Sequence, residues 1–362
     1  MKRTHKLFTG LAVAALAVTT FAAAPAQSAN PAALPKLKTA KVVRVGFFAN
    51  VTHGSALIAQ QKRFFEKFLA PQGTKIEYTL FNAGPSVIEA MKGGSIDVSF
   101  IGPNPAVSGY VSTRGALLKV VSGATVGGAQ FITKKSITTV AQLRGKTIAT
   151  PQLGNTQDVA LRAYLRKKGF TTSLLGSGDV NIAPTANAST LDLFKNGSLD
   201  GAWVPEPWAS RLVLEANGRV FLDEKELWPA GKFVTTVIVA KSDFLKTYPG
   251  TVRSVIQATN FANKWAAKNQ QAAKDAVQAQ LIKWTGKGLS DAVINRAWKN
   301  LSFTLDPVAS SLATSVDEAV DAGVLTNVGS RGIAGIYDIR LLNTVLVNEG
   351  RKKFGTAGLG LA

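Results

Sequence analysis

The 362-residue sequence contains no cysteine. That absence excludes disulfides, thiolate metal sites, a cysteine nucleophile and a lipid anchor carried on an N-terminal cysteine. Histidine is nearly as scarce, with only His5 and His53. His5 lies in the N-terminal stretch, so a histidine-built metal centre is not available, and no metal site is expected. The sequence has no GxGxxG, P-loop, G-x-S-x-G or HExxH pattern, the usual marks of nucleotide, acyl-transfer and zinc chemistry. A serine triad would have to use His53 as its base, and no serine stands on a glycine-flanked elbow. No catalytic residue and no cofactor are expected. After residue 24 no apolar run approaches the ~20 residues of a membrane helix. Acidic side chains are few, 22 against 42 basic ones, giving a formal charge of +20. Such a balance favours anionic partners or steers anions toward a cleft. Lysine and arginine are spread without runs, which speaks against nucleic acid as the partner.

What is present begins with a basic start (Lys2, Arg3, Lys6), an apolar run from Leu7 to Ala24 and small residues through Ala29. This reads as a secretory signal peptide over residues 1–29, cleaved after Ala26, Ser28 or Ala29. Residues 30–40 are rich in proline and alanine and read as a linker. The mature chain is then expected outside the cytoplasm, soluble and monomeric. Its length suits two units of roughly 100–200 residues each.

The strongest internal signal is a repeat. Residues 94–106 read GSIDVSFIGPNPA and residues 197–209 read GSLDGAWVPEPWA, an offset of 103. The same offset sets Ser86 on Ser189, Glu89 on Asp192, Lys92 on Lys195 and RVGFFAN (44–50) on TIATPQL (147–153). Self-similarity of this kind marks duplicated supersecondary units. Within each copy, apolar alternation and helical spacing give a βαβα rhythm, the pattern of a mainly parallel sheet with helices on its faces. Strands are expected at 42–48, 76–81, 96–101 and 117–121, then at 146–150, 180–183 and 199–204. Ser86-x-x-Glu89 reads as a capping box opening a short helix. The run at 233–240 is the return crossing, the remainder is mostly helical, and the glycine-rich tail from Gly355 reads as frayed.

These patterns predict two similar α/β lobes joined by a two-strand hinge. Lobe I takes residues 41–128 and 236–362, and lobe II takes residues 129–235. Ligands of open α/β sheets sit beyond the carboxyl ends of the strands. The loops there supply the candidate ligand-binding residues. Thr52 and His53 can donate to an oxyanion in the first lobe. Gly102 and Asn104 stand on a rigid Pro-containing turn. Asn155, Thr156 and Gln157 open a helix, whose first turn offers unpaired N–H groups and a positive dipole end, with Asp158 opposing an anion there. Trp203 or Trp208 could wall an apolar pocket, and Glu206 either caps the next helix or meets a cationic group of the ligand. Asp97 and Asp200 read as structural turn residues.

The segments Phe81–Ala106, Ser136–Leu165 and Asn196–Leu212 resemble the periplasmic solute-binding proteins of ABC importers for aliphatic sulfonates, taurine and nitrate. The resemblance covers about residues 42–350. It implies the two-lobed type II periplasmic binding protein fold, capture of a small oxyanion with an aliphatic sulfonate foremost, delivery to a membrane ABC permease, and no catalysis. It places Thr52–His53, Gly102–Asn104, Asn155–Gln157 and Trp203–Glu206 on the cleft. An exported enzyme of the same fold, acting on a small anionic or pyrimidine-type metabolite, is the alternative. It would have to work with His53 and Glu206, and the cysteine-rich motif of the pyrimidine-forming enzymes of this fold is missing.

Overall fold

The computed structural model describes residues 36–326, 328 and 332–362, together with Met1. The expected signal peptide, its cleavage zone and residues 30–35 of the linker lie outside them. The first lobe opens with β1 (Val42–Phe48), α1 (Gly54–Gln61), α2 (Phe64–Leu69), β2 (Lys75–Phe81), α3 (Gly84–Lys92), β3 (Val98–Ile101), α4 (Pro103–Ser112) and β4 (Leu118–Gly127). The second lobe follows as β5 (Ala129–Thr133), β6 (Thr147–Thr150), α5 (Thr156–Lys167), β7 (Asn181–Pro184), α6 (Asn187–Lys195), β8 (Gly201–Pro205), α7 (Trp208–Glu215) and β9 (Arg219–Asp223). The chain then returns through β10 (Val234–Lys241) to α8 (Ser242–Thr247), α9 (Pro249–Lys268), α10 (Gln270–Thr285), α11 (Asp291–Lys299), β11 (Leu301–Phe303), α12 (Ala309–Asp321), β12 (Tyr337–Asp338), α13 (Arg340–Asn348) and β13 (Gly360–Leu361).

Two sheets result. One runs β13-β12-β4-β10-β3-β1-β2 with β11 beside β4, and the other runs β7-β6-β8-β5-β9. The duplication is written in their registers. In the first sheet β1 pairs β3 in parallel through Val45↔Val98 and Gly46↔Ser99. In the second, β6 pairs β8 through Ile148↔Gly201 and Ala149↔Ala202, each partner 103 residues further on. The two turn aspartates repeat as well. Asp97 accepts the Arg44 N–H and Asp200 accepts the Thr147 N–H, at 2.9 and 3.0 Å. Each thereby fixes the start of the neighbouring strand, and Asp97 also holds the Arg44 guanidinium. Gly94 and Gly197 end the preceding helices at φ 77 and 88°, a left-handed turn that glycine adopts without a Cβ penalty.

Each sheet has one antiparallel strand beside its central parallel one, and both are crossing strands: β10 beside β3 and β5 beside β8. The outward crossing is Gly127–Gly128, at φ 72 and 80°. A Cβ on Gly127 would stand 2.8 Å from the Asn300 carbonyl, and one on Gly128 3.0 Å from Leu301. The return crossing is Phe233, whose carbonyl accepts the Gly127 N–H at 3.2 Å. The two hinge segments therefore touch.

Several local expectations fail for identifiable reasons. The helix at 86–89 starts earlier, at Gly84 with Pro85 in its first turn, and has no capping box, because its N-cap is Ala83 and Ser86 lies inside the helix. α1 and α2 are separate helices because the chain turns at Arg63, which is left-handed at φ 54°. The C-terminal tail is not frayed: β13 pairs β12, Tyr337 opposite Gly360.

Candidate ligand-binding site

The loops at the carboxyl ends of both sheets meet in a small cavity of about 20 Å³. Six of the nine residues singled out from the sequence line it: Thr52, His53, Gly102, Asn155, Thr156 and Gln157. They come from both lobes. Asn82, Asn187 and Pro205 join them, and Thr235 and Thr236 of the hinge strand complete the wall. The sequence reading missed Asn82 and Asn187 because it took the loops after the first and third strand of each copy and passed over those after the second. Asn82 precedes α3 and Asn187 opens α6, so the carboxyl-end rule applied to every strand would have found them.

Local hydrogen bonds position much of this wall. Asn155 caps α5 with its side chain, accepting the Gln157 N–H at 3.0 Å. The hydroxyl Oγ1 of Thr156 is buried and has no protein partner. It faces Gly102 so closely that a Cβ there would clash with it, which is why a glycine is required at that strand end. The Thr52 carbonyl is fixed by Thr125 Oγ1 at 2.6 Å and by Thr236 Oγ1 at 3.1 Å. Nδ1 of His53 accepts the Phe48 N–H at 3.2 Å, and the ring stacks on Phe48 with centroids 4.2 Å apart. With Nδ1 committed as an acceptor, the ring proton sits on Nε2. Burial depresses the imidazole to about 3, so His53 is a neutral donor.

The side chains lining the cavity carry no formal charge. The starts of α4, α5 and α6 and of the turn leading into α1 border it, and helix starts present N–H groups and positive dipole ends. Asp158 does not spoil this field. It is fully buried and paired at 2.9 Å with the equally buried Arg162, and it also binds Thr150 Oγ1 and the Gly154 N–H. The arrangement can hold an anion by oriented dipoles and hydroxyls, without a counter-ion.

Three of the sequence-chosen residues lie elsewhere. Asn104 points away, its Nδ2 donating to the Ser315 carbonyl of α12 at 3.1 Å. Trp203 is fully buried in the second lobe, stacked on Phe131 with centroids 5.4 Å apart and donating to Glu224 at 2.7 Å. Glu206 caps α7 through the Ser210 N–H at 3.0 Å and receives Arg296 at 3.2 Å and Asn300 at 2.6 Å. These three were placed by loop position alone, and only side-chain direction separates them from their neighbours. Glu206, the carboxylate that an enzyme of this fold would have to use beside His53, is engaged by Ser210, Arg296 and Asn300 and does not line the cavity.

Through Phe48, Asn50, Asn82 and Asn187 the cavity adjoins a chamber of about 330 Å³ between the lobes. Trp208 walls it, with its Nε1–H donating across the cleft to Asn50 Oδ1 at 2.8 Å. Among the described residues no group of histidine, aspartate or glutamate could hold a metal ion, and no helix is long and apolar enough to cross a membrane.

Comparison with known proteins places this geometry. The chain is 26% identical over 219 residues to the taurine-binding periplasmic protein of Escherichia coli (strain K12), covering 59% of this chain and 64% of that protein. The match thus spans a little under two thirds of that relative. The alkanesulfonate-binding protein SsuA of Xanthomonas axonopodis pv. citri, solved bound to MOPS, superposes with a TM-score of 0.66 at 23% identity, covering 80% of this chain and 95% of that one. The periplasmic nitrate-binding protein NrtA of Synechocystis PCC 6803 gives a TM-score of 0.66 at 16% identity, over 80% and 83%. At such identities the structural likenesses establish the fold, a two-lobed periplasmic binding protein fold. The family is set by a match along residues 37–282, and the chain belongs to the NMT1-like family.

Proposed function

We propose that this chain is the extracytoplasmic substrate-binding component of an ABC importer. It captures a small oxyanion, an aliphatic sulfonate foremost, between its lobes and delivers it to a membrane permease. The observation that carries the reading is the cavity between the lobes, lined by uncharged donors with the unpartnered Thr156 hydroxyl among them. A buried hydroxyl without a partner is costly unless a ligand completes it. The names of the taurine- and nitrate-binding relatives support the same ligand chemistry. At about 20 Å³ the cavity has room for about one water-sized group, so a three-oxygen head parts the closed lobes slightly on entering. We read the chain as non-catalytic, exported and monomeric. Lobe I is taken as residues 41–128 and 236–362 and lobe II as 129–235.

Calorimetric titration of the mature chain with alkanesulfonates, taurine, nitrate and bicarbonate tests this. Binding of at least one oxyanion is expected, weakened about tenfold or more in Thr156→Val, whose folded stability should change little because no protein hydrogen bond is lost. Failure of every oxyanion to bind overturns the proposal.

A further inference from the structure

The chamber outside the cavity is built for more than an inorganic ion. Its volume of about 330 Å³ falls at the small end of organic ligand sites, and sulfate or nitrate would leave it to water. Both lobes wall it with apolar surface, Leu80 and Phe81 on one side and Leu191 and Trp208 on the other. Its ionisable lining is Arg211, Lys287 and Asp192, and Arg211 is ion-paired outside the lining with Glu215. Asp192 and Lys287 are exposed, whereas Arg211 is half-buried. The Arg211 guanidinium lies over the Trp208 ring at 4.9 Å, and its Nε donates to Glu215 at 3.0 Å. That engages Nε with a carboxylate and leaves the two terminal nitrogens to receive a further anionic group. Arg211 belongs to α7 in the second lobe, and Lys287 follows α10 on the other side of the cleft. Closure brings both cations onto one chamber, and an anionic group there would answer both.

Resting on the oxyanion reading above, we propose that the ligand is an organic dianion. Its head enters the inner cavity, its carbon body fills the chamber, and a second anionic group meets Arg211 and Lys287. Arg211 is then the residue that separates such ligands from sulfonates with neutral or cationic tails. The planar fork matches a carboxylate in a way a point charge does not.

The test is calorimetric titration of the mature chain with sulfate, propane-1-sulfonate, homotaurine, 3-sulfopropanoate and 4-sulfobutanoate. The last two differ by one carbon, so a mismatch of length does not decide the result. At least one carboxylate-tailed compound is expected to bind about tenfold more tightly than propane-1-sulfonate, and homotaurine more weakly than either. In Arg211→Gln that ratio should fall to about threefold or less, and Arg211→Lys should keep an intermediate ratio. Equal or tighter binding of homotaurine overturns the inference, as does an undiminished ratio in Arg211→Gln. If sulfate and propane-1-sulfonate bind as well as the carboxylates, this inference fails and the oxyanion reading stands. If none of the five binds, this inference fails, and the oxyanion reading fails with it only when taurine, nitrate and bicarbonate also do not bind.

Discussion

Two buried titratable residues set opposite limits on stability. Glu224 is 1% exposed, and its carboxyl accepts Trp203 Nε1–H at 2.7 Å. Burial, reinforced by Glu318 and Asp223, pushes it up to about 8 against its ordinary 4.5. The stability it contributes is full below about 4.5 and is lost as pH rises toward 8. His53 runs the other way. Burial holds it at about 3 against 6.5, so its contribution is full above about 6.5 and is lost as pH falls toward 3. Between the two ordinary values the slopes offset each other. Stability should therefore be flat from about pH 4.5 to 6.5 and fall on either side, each group acting at about 1.4 kcal/mol per pH unit. Denaturant unfolding across pH 4 to 8 checks this. In Glu224→Gln, whose amide can still accept from Trp203, the decline between pH 6.5 and 8 should disappear. A persistent decline there would assign the alkaline limb to another group.

At the scale of elements, the second lobe is clamped to α11 of the first through one carboxylate. Glu206 has a fully buried side chain, and Arg296 is 22% exposed. Arg296 also donates to Ser210 Oγ at 2.9 Å and to Gln130 at 2.8 Å. Burial holds the Glu206 carboxyl above its ordinary range, against the opposing pull of the hydrogen bonds from Asn300 and Ser210 and of the Arg296 charge. Removing one member of such a pair leaves a charge without its partner, which typically costs 3–5 kcal/mol. Glu206→Ala should destabilise by about that amount in urea. Glu206→Gln with Arg296→Gln should cost clearly less, because no lone charge remains. An additive double variant would show that the two side chains do not act as a pair. The same residue shows what was legible. The repeat and strands β1 to β4, β6 to β8 and β10 are read from local pattern, since apolar periodicity and Gly-Ser turns lie in consecutive residues. Thr52, His53, Gly102 and Asn155–Gln157 follow because a position at a strand's carboxyl end already points toward the cleft. The partners of Glu206 and Asn104 come from residues 90 and 211 positions away, and no local pattern reports them. Strands β5, β9 and β11 to β13 were not expected, and for the last three the reason is related. They are two or three residues long and exist through their pairing, not through their own propensity.

For the molecule as a whole, binding is a matter of how the lobes close. Besides the Glu206–Arg296 clamp, two kinds of contact span the cleft. Lys167 of α5 and Glu318 of α12 pair at 2.8 Å with side chains 62% and 14% exposed, and such a half-solvated pair contributes at most about 1 kcal/mol. The Trp208–Asn50 hydrogen bond is part-buried at the mouth of the site, and Thr52 N–H reaches the Glu206 carbonyl behind it at 3.4 Å. Van der Waals burial of the indole adds to its hydrogen bond, whereas the ion pair is offset by the solvation its ammonium gives up. A ligand that binds only between closed lobes has its apparent affinity scaled by the closed fraction. Where the ligand-free chain is mostly open, loss of about 1 kcal/mol of closure is then worth about fivefold in affinity. Trp208→Phe should therefore weaken the tightest oxyanion about fivefold or more, while Lys167→Gln should stay within about twofold and lose little further at high salt. The two titrations, run side by side at low and high ionic strength, decide which contact governs closure. A large effect of Lys167→Gln that vanishes in salt would transfer control from the indole at the mouth to the ion pair between α5 and α12.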